Sequence, residues 1–389
     1  MKTLPFDFNA FKTAGETFFR GLVSELKTLG IHPEGLVSDH LCFRIGTLEE
    51  YGFYRHHLSQ HGVLLTEFPV NGRPISTFLM AEPLHTETHS IRLIELPAPK
   101  PGTSYDSGFE HAEFIIDESF DQFAKKYPHL NLIEAGNTNI NPELCLKLEN
   151  KQAKFHHLSL ERVIEIEKAA IKDIIFDFDG TLIRSRENIY EINRIVFSEA
   201  LEREVSLQEA IDKFHPEFAK LFEAFEITCP QKRDHAISRW GAVSTQFPYN
   251  LFAGVAELLQ KLKSLGFRLH LWTARDENSA RKILNDHQIA PLFSTLSFAT
   301  NIDSKPHANS LRFDWQSTQK NQIVVIGDSP ADILGAKNIN ALRAGVLWDS
   351  YTKKDPLIAA GAELLFHEVS ELESWLLNKV ARRTGGCPL

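Results

Sequence analysis

The sequence has no run of about 20 apolar residues, so no segment of it reads as a helix crossing a bilayer. It has no block of Lys or Arg, and its formal net charge is −9. Without a basic patch to neutralise phosphates, neither a nucleic-acid nor an acidic-membrane partner is expected. Cysteine is scarce: Cys42, Cys145, Cys229 and Cys387 lie scattered, without metal or redox spacing, so no disulfide framework is expected. The stretch MKTLPFDFNAFKTAGETFF lacks the continuous apolar core of a secretion signal. The tail GGCPL places Cys387 one residue too close to the end for a prenylation box. Together these absences describe a soluble cytoplasmic protein.

What is present is an ordinary globular balance, 43% hydrophobic and 24% charged over 389 residues, enough to bury the cores of two or three domains. Two patterns share the chain, with a change near residue 165. Before it, strand-like segments recur between turn signals: SDHLCFRI, GVLLTEF, RPISTFLM and HSIRLIEL, then FEHAEFII, ELCLKLE and QAKFHHL. Asn71-Gly72 reads as a hairpin turn between the second and third. Helical stretches at 48–60 and 118–126 each follow one strand and precede several more, and another helix opens the region at 8–29. The order β-α-β-β-β, repeated more loosely, suggests an internal duplication of about 60 residues.

After residue 170 strands and helices alternate. KDIIFDFD, FRLHLWT, STLSFAT, QIVVIGD and ALRAGVLW are short apolar runs, with amphipathic helices such as AGVAELLQKLKSL between them. That is the pattern of a parallel sheet covered on both faces. Residues 187–250 interrupt it with helical sequence, including Ser206-Leu-Gln-Glu209, a capping-box match. The junction LERVIEIEKAAIKD has no Gly or Pro and is expected to be helical and stiff. The expected domains are 1–168, an α+β region of paired βαβββ modules, and 169–381, an α/β parallel-sheet region with its helical cap inserted at about 187–250, followed by a tail at 382–389.

In an open parallel sheet, ligands bind beyond the carboxyl ends of the strands. At four such ends an apolar run stops on polar residues: Asp177-Phe178-Asp179, Thr273, the loop carrying Lys305, and Asp328 with Asp332 four residues on. Clustered carboxylates repel one another unless a divalent cation joins them, and oxygen-only ligands favour Mg²⁺. A lysine and a hydroxyl beside that ion suit the oxygens of a phosphoryl group. One carboxylate can then attack phosphorus while the other, on the same side of the strand, protonates the leaving oxygen.

FDFDGT, WTAR, SKP and IGDSPADILGA, in that order, resemble the four motifs of the haloacid dehalogenase-like hydrolases over residues 172 to about 380. The resemblance implies a Rossmann-like fold, Asp177 as nucleophile and Asp179 as general acid/base, and Thr273 and Lys305 as the phosphoryl-binding pair. It also implies Mg²⁺ held by the Asp177 carboxylate, the Asp179 backbone carbonyl and Asp328, with Asp332 a ligand or its support. An aspartate at 179 goes with phosphatases and phosphomutases of that family, so a small phosphorylated substrate is implied. Phe214, Phe218, Phe222 and Phe225 follow helical spacing in the cap, which suits a cap core better than a wall facing substrate. Of His215, His235 and Arg239, each reads as solvated surface before substrate contact.

The N-terminal region has a second polar set. His40 shares a face with Cys42 and Arg44, Glu95 ends the fourth strand, His111 and Glu113 share a face, and His156 and His157 lie on the last strand. His and Glu on the interior faces of strands suit a first-row divalent metal. SDHLCFRI, NGRPI, IELPAP, GFEHAEFII and KFHHLS resemble the YecM-like branch of the vicinal oxygen chelate superfamily over residues 1 to about 165. That resemblance implies His40, Glu95 and His111 as ligands of a transition-metal ion, with His156 or His157 where the family often has glutamate. Modules of this kind often pair, so a homodimer is compatible with it. The leading expectation is a Mg²⁺-dependent phosphatase fused to a metal- or ligand-binding domain. The alternatives are a phosphomutase, a bifunctional enzyme whose first domain is a metal-dependent isomerase, lyase or dioxygenase, or a first domain that only senses or oligomerises.

Overall fold

A computed structural model of the chain describes residues 6–70, 72–103, 105–135, 141–215, 218–299 and 305–383. The chain divides into two compact units, Met1–Lys168 and Ala169–Leu389. Among the described residues no helix is long and apolar enough to cross a membrane.

The first unit is built on one sheet of eight strands: β1 (Val37–Arg44), β2 (Gly62–Val70), β3 (Arg73–His85), β4 (Ser90–Pro97), β5 (Gly108–Ile115), β6 (Leu132–Ala135), β7 (Glu143–Lys147) and β8 (Gln152–His156). Their order is β2-β3-β4-β1-β5-β8-β7-β6. β1 runs parallel to β4, and β3 lies antiparallel between β2 and β4. The second half repeats this, with β5 parallel to β8 and β7 antiparallel between β6 and β8. Antiparallel pairing of β1 with β5 joins the halves. Helices Leu48–His61 and Phe120–Lys126 follow the first strand of each half, so the sheet is two copies of β-α-β-β-β. β6 escapes the sequence pattern because it has four residues, half-exposed at a sheet edge, and so shows no alternation. Gly72 of the expected hairpin turn has φ +78°, while Asn71 lies outside the described residues.

Strand alternation sorts the side chains onto two faces. Leu41, Ile94, Ala112, Phe114, Ala153 and Phe155 face the helices and form the core with Phe19, Leu22 and Leu26 of helix Phe8–Thr28. The other face carries the polar set. Cys42 pairs with Glu95 and His111, and His40 pairs with Glu113, which pairs with Lys154.

The second unit has strands β9 (Asp173–Phe176), β10 (Ile183–Arg184), β11 (Asn250–Leu251), β12 (Arg268–Trp272), β13 (Phe293–Ser297), β14 (Ile323–Gly327), β15 (Leu342–Val346) and β16 (Leu364–Phe366). Six of them form a fully parallel sheet in the order β13-β12-β9-β14-β15-β16. β10 and β11 pair antiparallel at the two ends of the helical insertion. Its helices, Arg186–Leu201, Leu207–Asp212, Phe218–Ala224 and Pro230–Ser244, have a core of their own containing Phe197, Phe222 and Phe225. Of the four spaced phenylalanines, Phe222 and Phe225 are buried there and Phe218 packs against them, whereas Phe214 lies edge-on to Tyr190. Ser206 caps Glu209 N at 3.0 Å as expected, and Arg239 is ion-paired to Glu199 at 2.7 Å. The junction is helical only over Leu160–Lys168.

Asp173, at the buried start of β9, anchors the sheet. Its carboxylate accepts from Arg268 Nε on β12 at 2.6 Å and lies 3.0 Å from His270 Nε2. Burial works against its charge, but the bonds from His270 and Arg268 outweigh it and hold the carboxyl below the usual range. Asp173→Ala is expected to lower unfolding stability by about 3 kcal/mol. A carboxyl depressed in the folded state stabilises above its unfolded range and loses that contribution as pH falls through the folded value. Denaturant melts of both proteins should therefore show the gap closing in acid; a gap that is constant with pH would assign the loss to packing.

Candidate active site and candidate metal centre

β9 lies between β12 and β14, so the carboxyl ends of three parallel strands are side by side. The backbone places the next residues accordingly: Asp177 N bonds Ile326 O at 2.8 Å, and Thr273 N bonds Ser297 O at 3.0 Å. Asp177, Asp328 and Asp332 bring one oxygen each within 4.8 Å of one another, and all three are buried. Lys305 reaches the cluster from the loop after β13 and donates to both Asp177 and Asp332. Thr181 Oγ1 donates to Asp177 Oδ2 at 3.0 Å.

Asp332 closes a capping box with Ser329 at the start of helix Pro330–Asn338, accepting from Ser329 N at 3.0 Å and from Ser329 Oγ at 2.6 Å with one oxygen. Its other oxygen takes Lys305. Gly180, at φ +80°, is required by close approach, since a Cβ there would stand 2.0 Å from Asp328 Oδ2.

Burial, then the charge of Asp332, pushes the Asp177 carboxyl well above its ordinary range, against the pull of Lys305. Burial likewise pushes Asp328 up to about 7 despite Arg186. Three buried carboxylates with this repulsion, offering oxygen alone, fit a hard divalent cation.

Asp179 is turned out of this cluster. Arg275 grips both its oxygens, through Nε at 3.0 Å and Nη2 at 2.5 Å. Burial opposes the charge of Asp179, yet the guanidinium holds the carboxyl below its usual range. Thr273 Oγ1 accepts from Arg275 N at 3.0 Å, which fixes the hydroxyl at the strand end. A second arginine, the partly buried Arg186, places Nη2 2.6 Å from Asp328 Oδ2. Neither arginine stands out by residue spacing. Arg275 does lie within WTAR, two residues after Thr273, and that is where a signal was available.

In the first unit, His40, Glu95 and His111 bring donor atoms within 4.8 Å of one another. Glu113 stands among them: its Oε1 lies 3.2 Å from His111 Nε2 and 3.5 Å from His40 Nε2, and its Oε2 3.2 Å from His156 Nε2. His157 points elsewhere, stacked on Phe120 with Nε2 3.0 Å from Glu118 O. The ring tautomers follow from the neighbours. His40 Nδ1 lies 2.9 Å from Asp39 Oδ2, which favours its proton there, whereas His111 Nδ1 stands 3.4 Å from Glu110 without a hydrogen bond of good geometry. His156 differs. Asn141 is oriented by Leu158, whose N–H bonds Oδ1 at 2.9 Å and whose carbonyl accepts from Nδ2 at 3.0 Å. The same Nδ2 therefore donates to His156 Nδ1, at 3.1 Å, and His156 carries its proton on Nε2, toward Glu113. The Nε2 atoms of His40, His111 and His156, and Nδ1 of His111, are buried without a hydrogen-bond partner among the described residues, which fits a metal-ligating set.

Residues 9–167 match the YecM protein family, and residues 174–346 match the haloacid dehalogenase-like hydrolase family. Over 224 residues the chain is 27% identical to a phosphoglycolate phosphatase of Rhodospirillum rubrum, covering 53% of this chain and 90% of that one. A pyrophosphatase PpaX of Bacillus pumilus is 22% identical over 213 residues, 53% of this chain and 97% of the relative. The protein YecM of Escherichia coli is 26% identical over 176 residues, 39% of this chain and 90% of its own length. The chain thus joins a region similar to YecM to a region similar to the haloacid dehalogenase-like hydrolases.

Proposed function

We propose that the second unit is a cytoplasmic Mg²⁺-dependent phosphatase acting on a small phosphorylated metabolite, with Asp177 as its nucleophile. The observation that carries this reading is the buried Asp177 carboxylate, held by Lys305 and Thr181 beside two further aspartates. A carboxylate fixed in that way is aimed and cannot serve as a solvated surface charge. Bound by Asp177, Asp328 and the Asp179 carbonyl, Mg²⁺ would neutralise the cluster and the phosphoryl oxygens.

The chain's own residues supply the rest. An Asp177 oxygen forms the bond to phosphorus as the ester P–O bond breaks, and Asp179, once released from Arg275 and protonated, gives its proton to the departing oxygen. Lys305 and Thr273 bind the phosphoryl oxygens. Water then attacks the acyl phosphate and yields its proton to Asp179, restoring Asp177 and releasing phosphate. The net reaction is ester plus water to alcohol plus phosphate. The helical insertion between β10 and β11 would serve as the lid that excludes bulk water.

The relatives named for phosphoglycolate and pyrophosphate give the substrate panel its first members. Phosphate release with Mg²⁺, abolished by EDTA and restored by added Mg²⁺, is the expected result. Release unaffected by chelation would remove the cation from the mechanism. Retained radiolabel passed to a second hydroxyl would make the enzyme a phosphomutase.

A second reading, for the first unit, rests on the clustered donors of this face. His40, Glu95, His111 and Glu113 would form a two-nitrogen, two-oxygen donor set suited to Mn, Fe, Ni or Zn, with His156 Nε2, 3.2 Å from Glu113, as support. In this reading the fourth donor is Glu113, and His156 supports it.

A further inference from the structure

Arg275 grips Asp179, the proposed general acid, and carries more donors than that contact uses. A guanidinium has five N–H groups. In Arg275 one on Nε and one on Nη2 go to Asp179, at 3.0 and 2.5 Å, and one on Nη1 goes to Ser279 Oγ, at 2.9 Å. The side chain is only 7% exposed, so water does not serve the others freely. Tyr249, beside β11 at the exit of the helical insertion, lies against the guanidinium, with Cζ 4.6 Å from the ring centroid. Its hydroxyl is buried and has no hydrogen-bond partner of good geometry among the described residues. The polar group it meets is the guanidinium, which can only donate.

A structural role accounts for the Asp179 and Ser279 contacts and for the ring stacked on the guanidinium. It leaves a phenol proton without an acceptor and a buried cation with donors to spare, an expensive arrangement unless an acceptor arrives. An anionic group supplies that acceptor to both residues at once. Its place is set by the chemistry: Asp179 must meet the leaving oxygen, so a group held on the same guanidinium belongs to the leaving half of the substrate.

We infer that Arg275 and Tyr249 form a subsite for a second anionic group, a carboxylate or a further phosphoryl, placed a short way beyond the leaving oxygen. The inference rests on the phosphatase reading and deepens it, because it defines the substrates as phosphoryl compounds with an anionic leaving group. Arg275 then shifts donors from Asp179 to the substrate anion, which frees that carboxyl to take a proton and brings the leaving oxygen to it.

The test compares phosphoglycolate, pyrophosphate and ethyl phosphate with the full chain and Mg²⁺. The expected kcat/KM favours at least one of the two anion-bearing compounds over ethyl phosphate by about 10²-fold or more, as for a site built to bond one substrate group. Which of the two is favoured tells a carboxylate from a phosphoryl. Tyr249→Phe removes one hydroxyl without touching Asp179 and should cut that preference about tenfold. Arg275→Ala should bring it close to one, with Arg275→Lys between. Since Arg275→Ala also frees Asp179, the ratio and not the rate is the readout, and melting temperatures check that each variant folds. Hydrolysis of ethyl phosphate as fast as the others, or a preference unchanged in both variants, would overturn the subsite and leave the phosphatase standing. No release from any of the three would overturn both.

Discussion

Asp177→Asn is expected to lower Mg²⁺-dependent phosphate release by about 10⁴-fold or more, the scale seen when a nucleophile acting within a unit is removed. The substitution keeps the shape of the side chain and removes the charge that attacks phosphorus. Folding should be spared for reasons visible in the cluster. Lys305 keeps its bond to Asp332, the new amide oxygen can still accept from Lys305, and one of three mutually repelling buried carboxylates is gone. A melting temperature within a few degrees of wild type, with activity lost, would place the effect on chemistry. Activity within tenfold of wild type would exclude an aspartyl-phosphate on Asp177. Loss of activity together with loss of the folded state would instead show that the carboxylate serves structure.

The parallel-sheet half was readable in the sequence because strands buried on both faces appear as continuous apolar runs. Each run stops where its polar residue begins, so Asp177, Thr273 and Asp328 could be assigned to one sheet edge. What could not be read is pairing over distance. Arg275 stands in a motif that marks the site, yet its partner Asp179 is 96 residues away. β16, with three residues at a sheet edge, is too short to show any period. In the first unit alternation puts His40, Glu95, His111 and Glu113 on one face, because side-chain direction follows strand parity. The sense of the His156 ring was beyond reach. It is set by Asn141, whose orientation comes from two backbone groups of Leu158, and no pattern in the residues announces that chain of bonds.

That ring decides the second large effect. The purified full chain is expected to carry about one transition-metal ion in the first unit, and His111→Ala should lose it. His111 Nε2 faces the donor cluster, 3.2 Å from Glu113 Oε1, and has no hydrogen-bond partner there. Glu113→Gln should lose the ion as well, since it turns one acceptor oxygen into a donor beside two histidines. His156→Gln should retain it with affinity weakened by about 10–100-fold, the usual effect of removing a hydrogen bond that supports a metal ligand. Elemental analysis of the three variants after dialysis against a weak chelator separates these outcomes. Full loss in His156→Gln, with retention in Glu113→Gln, would exchange the two roles and require Asn141 to turn. Retention in His111→Ala would mean that the buried nitrogens of this face serve no metal, leaving Glu113 as a carboxylate held by histidines and Lys154 for the fold alone.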